Sequence, residues 1–151
     1  MNKVLIASFI ILTFAFHTFP QDNGIGAGII LGEPTGISAK YWTSTTGAFD
    51  AAVAWSFVNE GAFHIHVDYI LHNFDLIKVP EGRLPFYYGI GGRIKASKDA
   101  RFGARVPLGL AYLFDNAPVD IFLEVVPLLD LAPKTAFRIN AALGARYYFK
   151  N

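Results

Sequence analysis

The sequence predicts an all-β fold: an eight-stranded antiparallel, up-and-down transmembrane β-barrel. Three observations predict it. The chain is 53% hydrophobic and only 17% charged, whereas an ordinary soluble domain is roughly 45–50% apolar with glycine counted and about 25% charged. Beyond residue 21 no uninterrupted apolar run approaches the ~18–20 residues that a membrane-spanning helix needs. From Gly24 onward the apolar residues recur with a period of two, the spacing of a half-buried strand, and not with the 3.6 of a helix.

Residues 1–21 stand apart. Met1-Asn2-Lys3 and the apolar stretch 4–16 form the basic start and short apolar centre of a secretory signal, which leaves 22–151 as the barrel domain. The chain carries 13 Lys+Arg against 12 Asp+Glu, a net charge of +1, and no basic stripe of the kind that binds nucleic acid. It has no cysteine, so a lipid-anchored lipoprotein, a disulfide scaffold and thiol catalysis are excluded together.

The strands follow in order. The first, 24–32, alternates Ile and Ala with Gly and ends at Glu33-Pro34. The second and third, 35–42 and 48–57, are separated by Ser44-Thr45-Thr46-Gly47, and Asn59-Glu60-Gly61 precedes the fourth, 62–72. A longer connection, 73–83, carries Asp75, Pro80 and Gly82. The remaining strands are 85–95, 102–114, 119–127 and 137–149. Ser97-Lys98-Asp99, Asp115-Asn116-Ala117-Pro118 and 130–134 separate them, all rich in turn residues.

Sorted by parity, the strands have one nearly wholly apolar face. The other holds every strand charge, with Gly and Ala between: Lys40, Asp50, Asp68, Arg93, Lys95, Arg105, Asp120, Glu124, Arg138 and Arg146, together with His64 and His66. Volume places this charged face inside. The interior of an eight-stranded barrel is just wide enough to be filled by side chains, and the Phe, Tyr, Leu and Ile of the apolar face would overfill it. Confined in a lumen, acidic and basic groups can pair, where unpaired charges would each cost several kcal/mol.

Aromatic residues mark the ends of the apolar face. Tyr41, Phe49, Phe57, Phe63, Phe86, Tyr88, Phe102, Tyr112, Phe137, Tyr147 and Phe149 lie at or near strand ends, while Val53, Ile65, Val106, Leu123 and Leu143 fill the middles. Two aromatic girdles around an aliphatic band match the two interfaces of a bilayer.

The Gly-rich start GIGAGIILGEPTGISAKYW and the end FLEVVPLLDLAPKTAFRINAALGARYYF resemble the small eight-stranded outer-membrane β-barrels, such as the OmpA transmembrane domain and OmpX. Within that class they are similar to a family of small barrels described from spirochaetes and other diderm bacteria. The resemblance spans the mature chain. It implies residence in the outer membrane as a monomer, with the lipid bilayer as the principal partner. It also implies recognition of an aromatic C-terminal strand end by the barrel-assembly machinery. Tyr147-Tyr148-Phe149 fits that pattern and is followed by Lys150-Asn151.

Chemistry is sparse. His64-x-His66-x-Asp68 sets two imidazoles and a carboxylate on one strand face, a row with ligand types suited to zinc. Same-face neighbours along a strand are ~6.5–7 Å apart, too far for easy sharing of one ion, so no metal and no cofactor are expected. The apolar face holds no Ser, His, Asp or Glu that could act on a lipid, so no enzymatic activity is expected. The expectation is a structural or surface-interaction barrel whose lumen is plugged by its charges. The alternatives are a narrow pore or small-solute transporter, weakly anion-preferring because the lumen has a slight basic excess, and a soluble lipocalin-like carrier. An even strand count puts both termini on the periplasmic side, with 32–35, 58–61, 96–101 and 128–136 as outer turns.

Overall fold

The computed structural model describes residues 23–33, 35–56, 62–96 and 100–149. The signal-peptide reading of 1–21, Phe57 and the turn 58–61 lie outside them.

The period-two alternation becomes a closed sheet. Its strands are β1 (Ile25–Gly32), β2 (Thr35–Trp42), β3 (Gly47–Ser56), β4 (Ala62–Asn73), β5 (Phe86–Ala96), β6 (Arg101–Arg105), β7 (Leu108–Leu113), β8 (Val119–Ala132) and β9 (Ala136–Phe149). Neighbours in the sheet run antiparallel. The ring closes between β1 and β9, with Ile25 opposite Phe149 and Gly32 opposite Ala142.

Nine strands make eight staves, because β6 and β7 share one. Both pair with β5 on one side and β8 on the other, in continuous register: Arg105 faces Gly91 and Leu108 faces Tyr88. The single strand predicted over 102–114 is thus interrupted at Val106–Pro107 and ends at Leu113. Pro107 has no N–H to give the ladder. Its carbonyl still accepts from Gly89 N–H at 3.1 Å, and Val106 N–H donates to Pro127 O at 2.9 Å.

A second correction concerns β8. The strand predicted over 119–127 continues to Ala132, and the wide turn expected over 128–136 shrinks to 133–135. Alternation persists through the added segment: Leu128 is buried, Leu129 exposed, Asp130 buried and Leu131 exposed. Asp130, read as a turn former, is an inward side chain.

The start of β1 at Ile25 and the end of β9 at Phe149 lie side by side at one end of the barrel, and the longest connection, 74–85, lies there too. Asn73 Oδ1 starts it by accepting from Asp75 and Leu76 N–H at 2.9 and 3.1 Å. Gly82, with φ 71°, turns the chain back, and its N–H donates to Asp115 Oδ2 at 2.8 Å. The Tyr112 hydroxyl donates to Glu81 O at 2.8 Å, and Arg83 exchanges two backbone hydrogen bonds with Leu113. Phe74 from this loop packs against the ring of Trp42 inside the barrel mouth, centroids 6.5 Å apart.

The two faces separate as parity predicts. Outside, Ile90 is 68% and Leu123 57% exposed. Inside, Lys40, Asp68, Arg105 and Asp120 are at most 1% exposed. The described girdle residues all stand on the outer parity, joined by Trp55 near Phe63 at the distal end and Tyr69 near Phe49 at the terminal end. The outward tyrosines, Tyr41, Tyr69, Tyr88, Tyr112 and Tyr147, gather at the terminal end alone.

Candidate functional site: a charged lumen

Inward residues meet across the barrel in a repeating way. Directly opposite many large inward side chains, the neighbouring strand carries a glycine, and across that glycine the next strand supplies the polar partner. Asp68, Gly91 and Arg105 line up on β4, β5 and β6, and Arg105 Nε donates to Asp68 Oδ2 at 3.0 Å. Tyr87, Gly109 and Glu124 do so on β5, β7 and β8, with the Tyr87 hydroxyl donating to Glu124 Oε2 at 3.1 Å.

Arg93, Gly103 and Asp130 repeat the pattern, Arg93 Nη2 donating to Asp130 Oδ1 at 2.7 Å. Ser38, Gly28 and Arg146 complete it, Arg146 Nε donating to Ser38 Oγ at 3.0 Å. A side chain in the middle position would block each contact. A Cβ on Gly91 would overlap the Asp68 carboxylate, and one on Gly103 would sit 2.9 Å from Asp130 Oδ1. The lumen glycines therefore admit the polar pairs as well as saving volume.

Arg146 is the hub of the lower lumen. Its Nη2 lies 2.9 Å from Asp50 Oδ2 and its Nη1 3.4 Å from Asp120 Oδ2, and the guanidinium stacks on Phe122, 3.9 Å from the ring centre. Asp120 also accepts from the Tyr148 hydroxyl and stands 4.0 Å from Lys40 Nζ. Lys40 lies over the Trp42 ring and donates to His72 Nε2 at 2.7 Å. His72 can accept there because its Nδ1–H is directed to Thr46 O at 2.8 Å.

Of the residues the sequence places in the lumen, Lys40, Asp50, His64, His66, Asp68, Arg93, Lys95, Arg105, Asp120, Glu124 and Arg146 are all buried. Arg138 sits at the rim, its side chain 40% exposed, paired with Asp130 at 3.0 Å. The basic excess expected of the lumen disappears because Asp130 joins the buried set and Arg138 leaves it for the rim. Among the described residues the buried cations are Lys40, Arg93, Lys95, Arg105 and Arg146, and Asp50, Asp68, Asp120, Glu124 and Asp130 balance them five to five.

The His64-His66-Asp68 row does not converge on one point. His64 Nε2 and His66 Nδ1 hydrogen-bond to each other at 3.1 Å, and among the described residues no group of three or more His, Asp or Glu side chains is placed to hold a metal ion. Parity reasoning passed over the inward aromatics Trp42, Tyr87, Phe122 and Tyr148. Their signal was in the sequence, as glycines at the facing register positions, but register is what alternation does not supply.

The N-terminal β-barrel domain of Pseudomonas aeruginosa OprF, a crystal structure, superposes with a TM-score of 0.56 at 17% identity, covering 83% of this chain and 95% of that one. The fold is an eight-stranded antiparallel β-barrel. No family model matches the chain, and no curated protein matches it.

Proposed function

We propose that the chain is an outer-membrane β-barrel protein of a diderm bacterium, with residues 1–21 removed on export and a lumen closed by its own side chains. Its role is structural or surface-interacting and not catalytic. One observation carries this reading: the polarity of the barrel is inverted relative to a soluble one, with large aliphatic side chains exposed around the wall and ion pairs buried inside. Such a wall is stable only against hydrocarbon, and a closed ring leaves no strand edge unpaired there. The likeness to the OprF barrel domain supports the fold on which this rests. Tyr147 and Phe149, outward at the end of β9, are the residues that the assembly machinery would read.

The closed-lumen reading has a direct test in planar bilayers. The purified, detergent-folded chain inserts and gives no single-channel steps, because Arg105, Arg146, Tyr87 and Tyr148 fill the section that an ion would cross. Regular steps would contradict closure and favour a narrow pore.

A further inference from the structure

At the terminal mouth of the lumen the outermost ring comes from the loop and not from a strand. Trp42, His72 and Tyr87 point inward at this end; His72 stands opposite Tyr87 in register, and the Trp42 and His72 rings are 4.3 Å apart. Beneath them Lys40 Nζ lies 2.7 Å from His72 Nε2 and 4.2 Å from the centre of the Trp42 ring. Phe74 packs on this group from the loop, stacked on His72 with ring centres 6.1 Å apart and 6.5 Å from Trp42. The Arg83 guanidinium lies 5.0 Å from the centre of the Phe74 ring.

The loop is fastened unequally. Residues 81–83 are tied to β7 and to the turn after it by the Tyr112 hydroxyl, the Leu113 backbone and Asp115. Residues 75–80, by contrast, hydrogen-bond or ion-pair only with Asn73 and with one another: Asp75 and Leu76 N–H donate to Asn73 Oδ1, and Lys78 pairs with Asp75 between side chains 75% and 92% exposed, a pair that solvent screens to little. The Phe74 ring is what ties this half of the loop to the lumen. A cleft of about 530 Å³ alongside, lined by Thr46, His72, Asp75 and Arg83 as well as Phe74, leaves room for the ring to swing out while every strand stays paired.

We infer that segment 74–80 is a hinged cap over the terminal mouth, with Phe74 as its latch and the clamp at 81–83 as its fixed side. When the ring swings out, a vestibule walled by Trp42, His72 and Tyr87, with Lys40 at its floor, opens to water and small solutes. Segments held by few apolar contacts and solvent-exposed polar ones open locally at far lower cost than the barrel unfolds. Asp120 and Arg146 stay in place below, so the cap governs entry to this vestibule and not passage through the lumen. The inference rests on the barrel fold and holds whether or not the deeper lumen conducts.

Two readings on the full chain folded in detergent test it. In Trp55→Phe, which leaves Trp42 as the one tryptophan, acrylamide should quench weakly; adding Phe74→Ala should raise the Stern–Volmer constant several-fold, Phe74→Leu should raise it less, and Leu76→Ala should leave it unchanged. Heat-modifiable gel migration reports that each variant is folded. Opening of the native cap is read from acetylation of Lys40 by an N-hydroxysuccinimide ester, followed by mass spectrometry. Lys40, whose side chain is 0% exposed, should be modified slowly while the barrel stays folded, and several-fold faster in Phe74→Ala. Unchanged quenching and acetylation in Phe74→Ala, a Phe74→Ala chain that does not fold, or a Lys40 that is never modified in the folded native chain overturns the inference, the last by making Phe74 a fixed plug.

Discussion

Arg146→Met should destabilise the barrel by about 3–5 kcal/mol, the range for removing one partner of a buried ion pair. The methionine keeps much of the length and packs on Phe122, but it leaves Asp50 and Asp120 without their shared guanidinium and Ser38 without its donor. Tyr148 and Lys40 still address Asp120, whereas Asp50 loses its ion-pair partner. Arg138→Met is the matched control. Its side chain is 40% exposed at the rim, where a screened pair is worth roughly 0–1 kcal/mol. Urea unfolding in lipid vesicles, followed by tryptophan fluorescence, compares the two. If Arg146→Met cost no more than Arg138→Met, the lower lumen would be hydrated and its charges screened, and the closed-lumen reading would fail.

Gly91→Val should prevent the barrel from closing, while Gly92→Val, one residue on, should fold. The two glycines face opposite ways. A Cβ at Gly91 overlaps both the Asp68 carboxylate and the Val67 carbonyl, so the β4–β5 seam must part and Asp68 is pushed away from Arg105. Overpacking costs about 1–3 kcal/mol and loss of a buried pair about 3–5 kcal/mol, together comparable with the 5–15 kcal/mol total stability of a typical domain. At Gly92 the nearest atom to a Cβ is Gly103 O at 3.7 Å, and valine suits an outward strand position. Heat-modifiable migration on a gel reports closure. A folded Gly91→Val band would mean that the lumen has room which the observed contacts deny.

Much of this fold was legible from alternation. Parity alone put Leu123 outside and Glu124 inside, and it did so on every stave, because a strand has only two faces and volume decides which is concave. What alternation does not carry is register. Asp68 and Arg105 lie on strands that are not neighbours, and they meet only because register sets Gly91 between them. Asp130 was lost for a local reason: beside Ala132-Pro133 it reads as part of a turn, and only its pairing with Arg93 and Arg138 shows why the chain stays extended there. Pro107 and Pro127 were visible in the sequence, but their effect depends on lying side by side on adjacent staves, where one lacks a donor and the other supplies an acceptor to Val106. Lys95 and Arg101 are six residues apart in sequence, and their opposition appears only when β5 and β6 are paired.

The inverted barrel itself can be tested with the two tryptophans of the chain. Trp42 is 4% exposed inside, and Trp55 is 48% exposed on the outer wall. In vesicles of lipids brominated on their acyl chains, Trp42→Phe, which leaves Trp55 alone, should be strongly quenched, and Trp55→Phe, which leaves Trp42 alone, should be nearly unaffected. Equal quenching of the two, or a chain that remains soluble without detergent and shows no quenching of Trp55, would contradict a barrel that faces lipid with its apolar side.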